Sequence, residues 1–165
     1  TKEVGSKSFS LRAKAKGALS YKTSDSSVVT VTSNGRVMIK GVGKAYIKIT
    51  AAQTRTYKAA TKTVAVKVIP KKIGCSLTKK QSNRKYSMVV SWPKTKKVTG
   101  YKIEYATNAK FAGKKVVTVK SNKVSSITIP NLKKGKTYYV RIRTYKTVKG
   151  ISYHSGYSNV RKIKM

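Results

Sequence analysis

The sequence predicts an all-β protein made of two antiparallel β-sandwiches in tandem, and three observations carry that reading. Across the 165 residues, apolar and polar residues alternate over short runs and no stretch keeps a helical period. Gly, Ser, Asn and Asp punctuate those runs every 8 to 12 or so residues, the spacing of strands joined by turns. The length suits two small domains, and Pro70-Lys71-Lys72 offers a boundary between them, because proline gives no N–H to a sheet and biases its predecessor towards extended backbone. The expected division is a first domain at 1–69, a linker at 70–72 and a second domain at 73–165.

In the first domain the expected strands are Phe9 to Ala13, Leu19 to Lys22, Val28 to Val31, Arg36 to Ile39, Ala45 to Thr50 and Val64 to Ile69. Ala45-Tyr46-Ile47-Lys48-Ile49-Thr50 and Val64-Ala65-Val66-Lys67-Val68 alternate cleanly, apolar inward and polar outward, as half-buried strands do. Asn34-Gly35 predicts a tight hairpin turn, since both residue types tolerate positive φ, and Gly43 marks another sharp turn before a strand. Thr23-Ser24-Asp25-Ser26-Ser27 with Val28 to Val31, then Asn34-Gly35-Arg36-Val37, then Gly43-Lys44-Ala45-Tyr46-Ile47 resembles the bacterial immunoglobulin-like group 2 (Big2) domain over residues 4–69. That resemblance places Val4-Gly5 and Leu11 at the entry to the second strand and implies that the first is truncated.

The second domain is organised around Leu132 to Arg143, a turn followed by a strand whose Tyr138, Val140 and Ile142 face a core and whose Tyr139, Arg141 and Arg143 face outward. Further strands are expected at Ile73 to Leu77, Tyr86 to Trp92, Tyr101 to Tyr105, Val116 to Val119, Ser126 to Ile129 and Val160 to Lys164, with the main strand running from Thr137 to Tyr145. Ser91-Trp92-Pro93, Thr99-Gly100-Tyr101-Lys102-Ile103-Glu104-Tyr105 and Leu132-Lys133-Lys134-Gly135-Lys136-Thr137-Tyr138-Tyr139-Val140 together resemble the fibronectin type III domain. The resemblance makes Trp92 the core tryptophan, Tyr101, Ile103 and Tyr105 an inward row, and Tyr138 the tyrosine whose hydroxyl bonds back to nearby backbone. An antibody-type domain would carry cysteine two residues after that tyrosine; Val140 stands there. The sequence departs from the family at Lys134, where proline is usual. Both resemblances imply immunoglobulin-like sandwiches.

Charge is the strongest compositional signal: 39 Lys and Arg against 3 acids, a formal +36. Such a chain repels itself and is expected beside a polyanion. Thirty-two of the cations are Lys and seven are Arg, which suits diffuse attraction to phosphate, sulfate or carboxylate polymers more than bidentate base reading. No specific nucleic acid is expected. No apolar run approaches the roughly 20 residues of a membrane-spanning helix, so no membrane insertion is expected. The chain, starting at Thr1, reads as part of a longer protein.

Catalysis finds no material. Glu3, Asp25 and Glu104 are far apart in sequence and offer no carboxylate pair. His154 and Cys75 are the sole histidine and cysteine, so no metal set, no internal disulfide and no cofactor is expected, and Cys75 reads as a small buried residue. Gly41-Val42-Gly43-Lys44 lacks the outer residues of a phosphate loop, and Gly150-Ile151-Ser152-Tyr153-His154 lacks the closing glycine of a nucleophile elbow; both read as turns. A Lys–Asn cross-link would need a buried acid, whereas Glu104 is expected to point outward into a solvated ion pair with Lys102 or Arg141 worth less than about 1 kcal/mol.

What remains is the basic surface. Lys102, Tyr139, Arg141 and Arg143, joined by Lys162 or Lys164, are expected to share the outward face of one sheet, with Lys133, Lys134 and Lys136 in the adjoining loop, as a surface for an anionic polymer. The plain alternative is that outward lysines only keep the protein soluble. The family resemblance also points to the loop from Lys146 to Tyr157, with Tyr153, His154 and Tyr157, as a protein-binding loop. The expected role is a non-catalytic extracellular module at a bacterial surface, held to an anionic cell-wall polymer and joined to other domains of its parent protein. Host glycans or host proteins are the alternative partners, and a passive spacer the alternative role.

Overall fold

The computed structural model describes residues 1–165 and divides into two compact units, Thr1–Ile69 and Pro70–Met165. All regular structure is β. In the first unit the strands are β1 (Lys2–Glu3), β2 (Phe9–Ser10), β3 (Leu19–Thr23), β4 (Val29–Val31), β5 (Arg36–Ile39), β6 (Gly43–Ala51) and β7 (Ala60–Ile69). They form two facing sheets, ordered β1-β7-β6-β3 and β2-β5-β4. The alternation read from the sequence holds along β6, where Ala45, Ile47 and Ile49 are buried while Lys44, Tyr46 and Lys48 are exposed. Val29, Val37, Ile47 and Val68 close the core with no exposed surface.

The two residues of β1 pair in parallel with Val68 and Ile69. Two details of this unit differ from expectation. β2 stops at Ser10 instead of Ala13: Leu11 donates once more to the Gly35 carbonyl, and Arg12 then turns to φ 50°, which ends extended pairing. In the β4–β5 hairpin the left-handed position is held by Gly35 alone, at φ 76°. Gly35 donates to the Thr32 carbonyl at 2.9 Å and Thr32 to that of Arg36 at 3.0 Å, so a turn precedes the glycine, and Asn34 serves by accepting from the Thr32 hydroxyl.

The second unit contains β8 (Ser76–Ser82), β9 (Lys85–Ser91), β10 (Gly100–Ala106), β11 (Lys115–Val119), β12 (Ser126–Leu132), β13 (Thr137–Val148), β14 (Ile151–His154) and β15 (Arg161–Lys164). One sheet runs β12-β9-β8; the other runs β11-β10-β13-β14, with β15 also on β13. Between them lie Trp92, Tyr101, Ile103, Tyr138, Val140 and Ile142, all buried. The Trp92 and Tyr101 ring centroids are 5.1 Å apart with the planes tilted by 52°, within the contact range of aromatic pairs. The Tyr138 hydroxyl accepts the Lys133 N–H at 3.0 Å, the backward bond expected of it.

Here too the sequence reading needs correction. The first strand starts at Ser76, not Ile73, and Ile73 and Cys75 reach the core from the segment before it. Residues 70–72, expected as a short linker, are held within the second unit: the Thr144 hydroxyl donates to the Lys71 carbonyl at 2.9 Å and the Lys72 ammonium to Asn159 Oδ1 at 3.3 Å. β14 was expected as loop. Lys149 and Gly150, at φ 49° and 77°, make the two-residue turn that matches strand twist, and it folds Ile151–His154 back onto Tyr145–Val148.

Between β14 and β15 the chain leaves the sheet, and two serines replace the lost ladder. Buried Ser155 and Ser158 accept the Thr144 and Ile142 N–H groups through their hydroxyls, each at 3.0 Å. The N–H groups of the same serines donate to the Thr144 and Ile142 carbonyls, at 3.0 and 2.7 Å, so both residues stay pinned to β13 with its buried polar groups satisfied while the two residues between them bulge away. The bulge carries Tyr157 over the outer face of β13.

Candidate functional site: the outer face of the second unit

The register brings together most of the predicted cationic row. On the outer face of β10 and β13, Lys102 stands opposite Arg143, Glu104 opposite Arg141, and Ala106 opposite Tyr139. On the other side of β13, Tyr139 faces Lys162 and Thr137 faces Lys164. Lys133, Lys134 and Lys136 are exposed in the loop that leads into β13.

Glu104 changes the character of this face. It was expected in a solvated pair, yet it retains only 4 % of its surface. Arg141 donates through both Nε and Nη2 to Glu104 Oε2, at 2.9 and 2.6 Å, while the Tyr157 hydroxyl donates to Oε1 at 2.6 Å. The Lys114 ammonium stands 3.2 Å from the same Oε1. Burial pushes the carboxyl's pKa up, but the hydrogen bonds from Tyr157, Arg141 and Lys114 outweigh it and hold Glu104 below the ordinary carboxylate range. The Tyr157 phenol is pushed up, by burial first and then by its bond to the carboxylate, so it stays a donor.

The guanidinium groups are also covered. Arg141 lies between two rings, 4.1 Å from the Phe111 centroid and 3.9 Å from that of Tyr157, and Arg143 stands 4.5 Å from Tyr157. Stacking of this kind suits the planar, weakly hydrated guanidinium better than the compact, strongly hydrated ammonium of lysine. Arg143 Nε is buried without a hydrogen-bond partner. Arg141, expected as an outward contact, is therefore a structural residue that pins the loop carrying Phe111 and Lys114 and the bulge carrying Tyr157 onto the sheet. Of the predicted cations, Lys162, Lys164 and the Lys133, Lys134 and Lys136 group are exposed, and Lys102 reaches solvent in part.

The second candidate loses its free aromatics. Tyr153 is buried on β14, opposite Lys146, the His154 ring lies 6.0 Å from that of Tyr145, and Tyr157 is committed to Glu104. Sequence reasoning missed Lys114 and Tyr157 as partners of Glu104, and Phe111 as a ring against Arg141; nothing in their local pattern announces these contacts, and Tyr157 lies 53 positions from Glu104. Cys75 is buried and unpaired, and burial pushes its thiol pKa up, the opposite of an activated nucleophile. No three His, Cys, Asp or Glu side chains stand close enough to hold a metal ion. No helix is long and apolar enough to cross a membrane.

The fold now on view has recognisable relatives. The model of the fibronectin type III domain matches residues 76–160, just over half of the chain. The chain belongs to the fibronectin type III family. The model of the intimin immunoglobulin-like domain, a bacterial type compatible with the Big2 resemblance, matches residues 9–53 of the first unit. Among solved structures, a two-domain fibronectin type III segment of chicken tenascin is similar at 19 % identity, over 93 % of this chain and 88 % of that one, with a TM-score of 0.54. A cytokine receptor complex is similar at 12 % identity over 90 % and 87 %, with a TM-score of 0.53. The chain also aligns with the FN1–FN3 domains of chicken CNTN1 at 19 % identity, over 89 % of its own length and 56 % of theirs, with a TM-score of 0.49. No curated protein sequence matches it. At these identities the likeness is one of fold: two tandem immunoglobulin-like sandwiches. Fibronectin type III and intimin-type domains are generally non-catalytic modules of extracellular or surface proteins.

Proposed function

We propose that this chain is a non-catalytic surface module of a bacterial extracellular protein, attached to an anionic cell-wall polymer by many weak lysine contacts. The observation that carries the reading is the fate of Glu104. It is the one acidic side chain of the second unit, and Arg141, Lys114 and Tyr157 consume it internally. Lys102, Lys133, Lys134, Lys136 and Lys162 are left without a side-chain counter-charge on their own unit. A surface meant only for solubility would mix both signs. Individually weak contacts gain strength when many act on one polymer.

The test is retention of the 165-residue chain on Gram-positive walls, intact and stripped of anionic polymers, across a salt series. Retention is expected to need the polymers and to fall steeply with log salt, as for other polyanion contacts that release counterions. Replacing Lys102, Lys133, Lys134 and Lys136 together by Gln is expected to weaken it. Retention indifferent to stripping and to salt would overturn the proposal and leave a passive spacer or a host-protein contact.

A further inference from the structure

The first unit carries a second cationic face, and its register is more unusual than that of the first. On the outer face of the β1-β7-β6-β3 sheet, Lys22 stands directly opposite Lys48 and Lys44 directly opposite Lys67. Residues paired this way have Cβ atoms about 5 Å apart, and like charges there destabilise a sheet. No salt bridge is made by Lys22, Lys48 or Lys67, and Glu3, at the β1 edge of the same sheet, makes none either. Between the two lysine pairs stands Tyr46, 44 % exposed, with the Lys44 ammonium 4.8 Å from its ring centroid, the small Ala65 across from it on β7 and the small Ser24 hydrogen-bonded to its backbone on the other side. Lys44 and Lys48 are separated along β6 by about 13 Å, with the ring midway.

We infer that this face is a docking surface for an acidic polysaccharide of the bacterial wall, the lysine pairs taking its carboxylates and Tyr46 taking the apolar face of a sugar ring. The inference rests on the reading above, that the chain binds an anionic polymer, and specifies which polymer and where. Lysine pairs alone would serve any polyanion. An exposed ring between them adds a partner for C–H bonds, whose positive hydrogens meet the negative face of the aromatic quadrupole. A pyranose polymer offers such a face in every unit, and a chain of bare phosphates offers none. Ala65 keeps the floor beside the ring flat, so a rigid sugar can approach it. Cross-strand repulsion that costs stability is relieved when polymer carboxylates come between the ammonium groups.

The test uses the whole chain, polygalacturonate as a ring-bearing polymer of carboxylates, and inorganic polyphosphate as a ringless one. Tyr46→Ala is expected to weaken polygalacturonate binding about five-fold and to leave polyphosphate binding within about two-fold, while Tyr46→Phe binds both as the unaltered chain does. Lys22→Gln with Lys48→Gln is expected to weaken both and to flatten the salt dependence, with a thermal midpoint equal to or above that of the unaltered chain, because the repulsion is gone. Equal loss on both polymers in Tyr46→Ala, or no loss on polygalacturonate, would overturn the role of the ring. Binding that survives the Lys22/Lys48 change but disappears on replacing Lys133, Lys134 and Lys136 would overturn this surface and leave the general reading intact. An unaltered chain that binds neither polymer at low salt would overturn both.

Discussion

Arg141 grips a single oxygen of Glu104 with two of its nitrogens, Nε at 2.9 Å and Nη2 at 2.6 Å, across adjacent strands of the second unit. Such a contact is charge-assisted and shielded on both sides by aromatic rings, so it escapes the screening that makes exposed pairs nearly worthless. It ties β10 and β13 to two loops that the backbone ladder does not reach.

Glu104→Gln is accordingly expected to destabilise the second unit by about 1.5–3 kcal/mol, the range for hydrogen bonds to charged groups. Urea unfolding followed in both variants measures it. A change below about 0.5 kcal/mol would mean that the cluster is ornamental, within the range of an ordinary surface substitution.

The same carboxylate sets an acid limit. Its folded pKa lies below the ordinary value, so its contribution is fully present above the unfolded carboxyl's pKa of about 4.3 and is lost as pH falls through the lower folded value. Urea midpoints taken from pH 7 downwards should therefore decline in acid for the unaltered chain and much less for Glu104→Gln. Parallel declines would place the sensitive group elsewhere.

Tyr138→Phe removes the hydroxyl that accepts the Lys133 N–H and keeps the ring in the core. The expected cost is about 0.5–1.5 kcal/mol, the net value of one such bond. Amide exchange should show the Lys133 N–H as the group that loses protection. Unchanged exchange there would remove the bond from the account of why this loop holds its shape.

Much of the fold was legible because strand alternation is a local signal. Tyr138, Val140 and Ile142 are buried as their spacing of two requires, and the outward row opposite Lys102 follows from the same parity. The candidate site was legible only in part. Whether an outward residue meets solvent depends on what lies over the sheet, and Tyr157 reaches Glu104 from 53 positions away. The bulge that brings it there rests on Ser155 and Ser158 acting as backbone substitutes, which no periodicity announces. The turn at Lys149-Gly150 did carry a hairpin signal, with Ile151 and Tyr153 alternating after it. In the first unit, Lys22 and Lys48 lie on strands far apart in sequence, so only the pairing register shows that they oppose each other.

The sole tryptophan of the chain is Trp92, sealed in the second core with Tyr101 beside it. The two units therefore differ optically. Tryptophan emission reports on one of them alone, from a ring shielded from water, and red-shifts when that core opens. Far-ultraviolet dichroism sums both. A melt followed by the two signals together separates the unfolding of one sandwich from that of its neighbour without any added label.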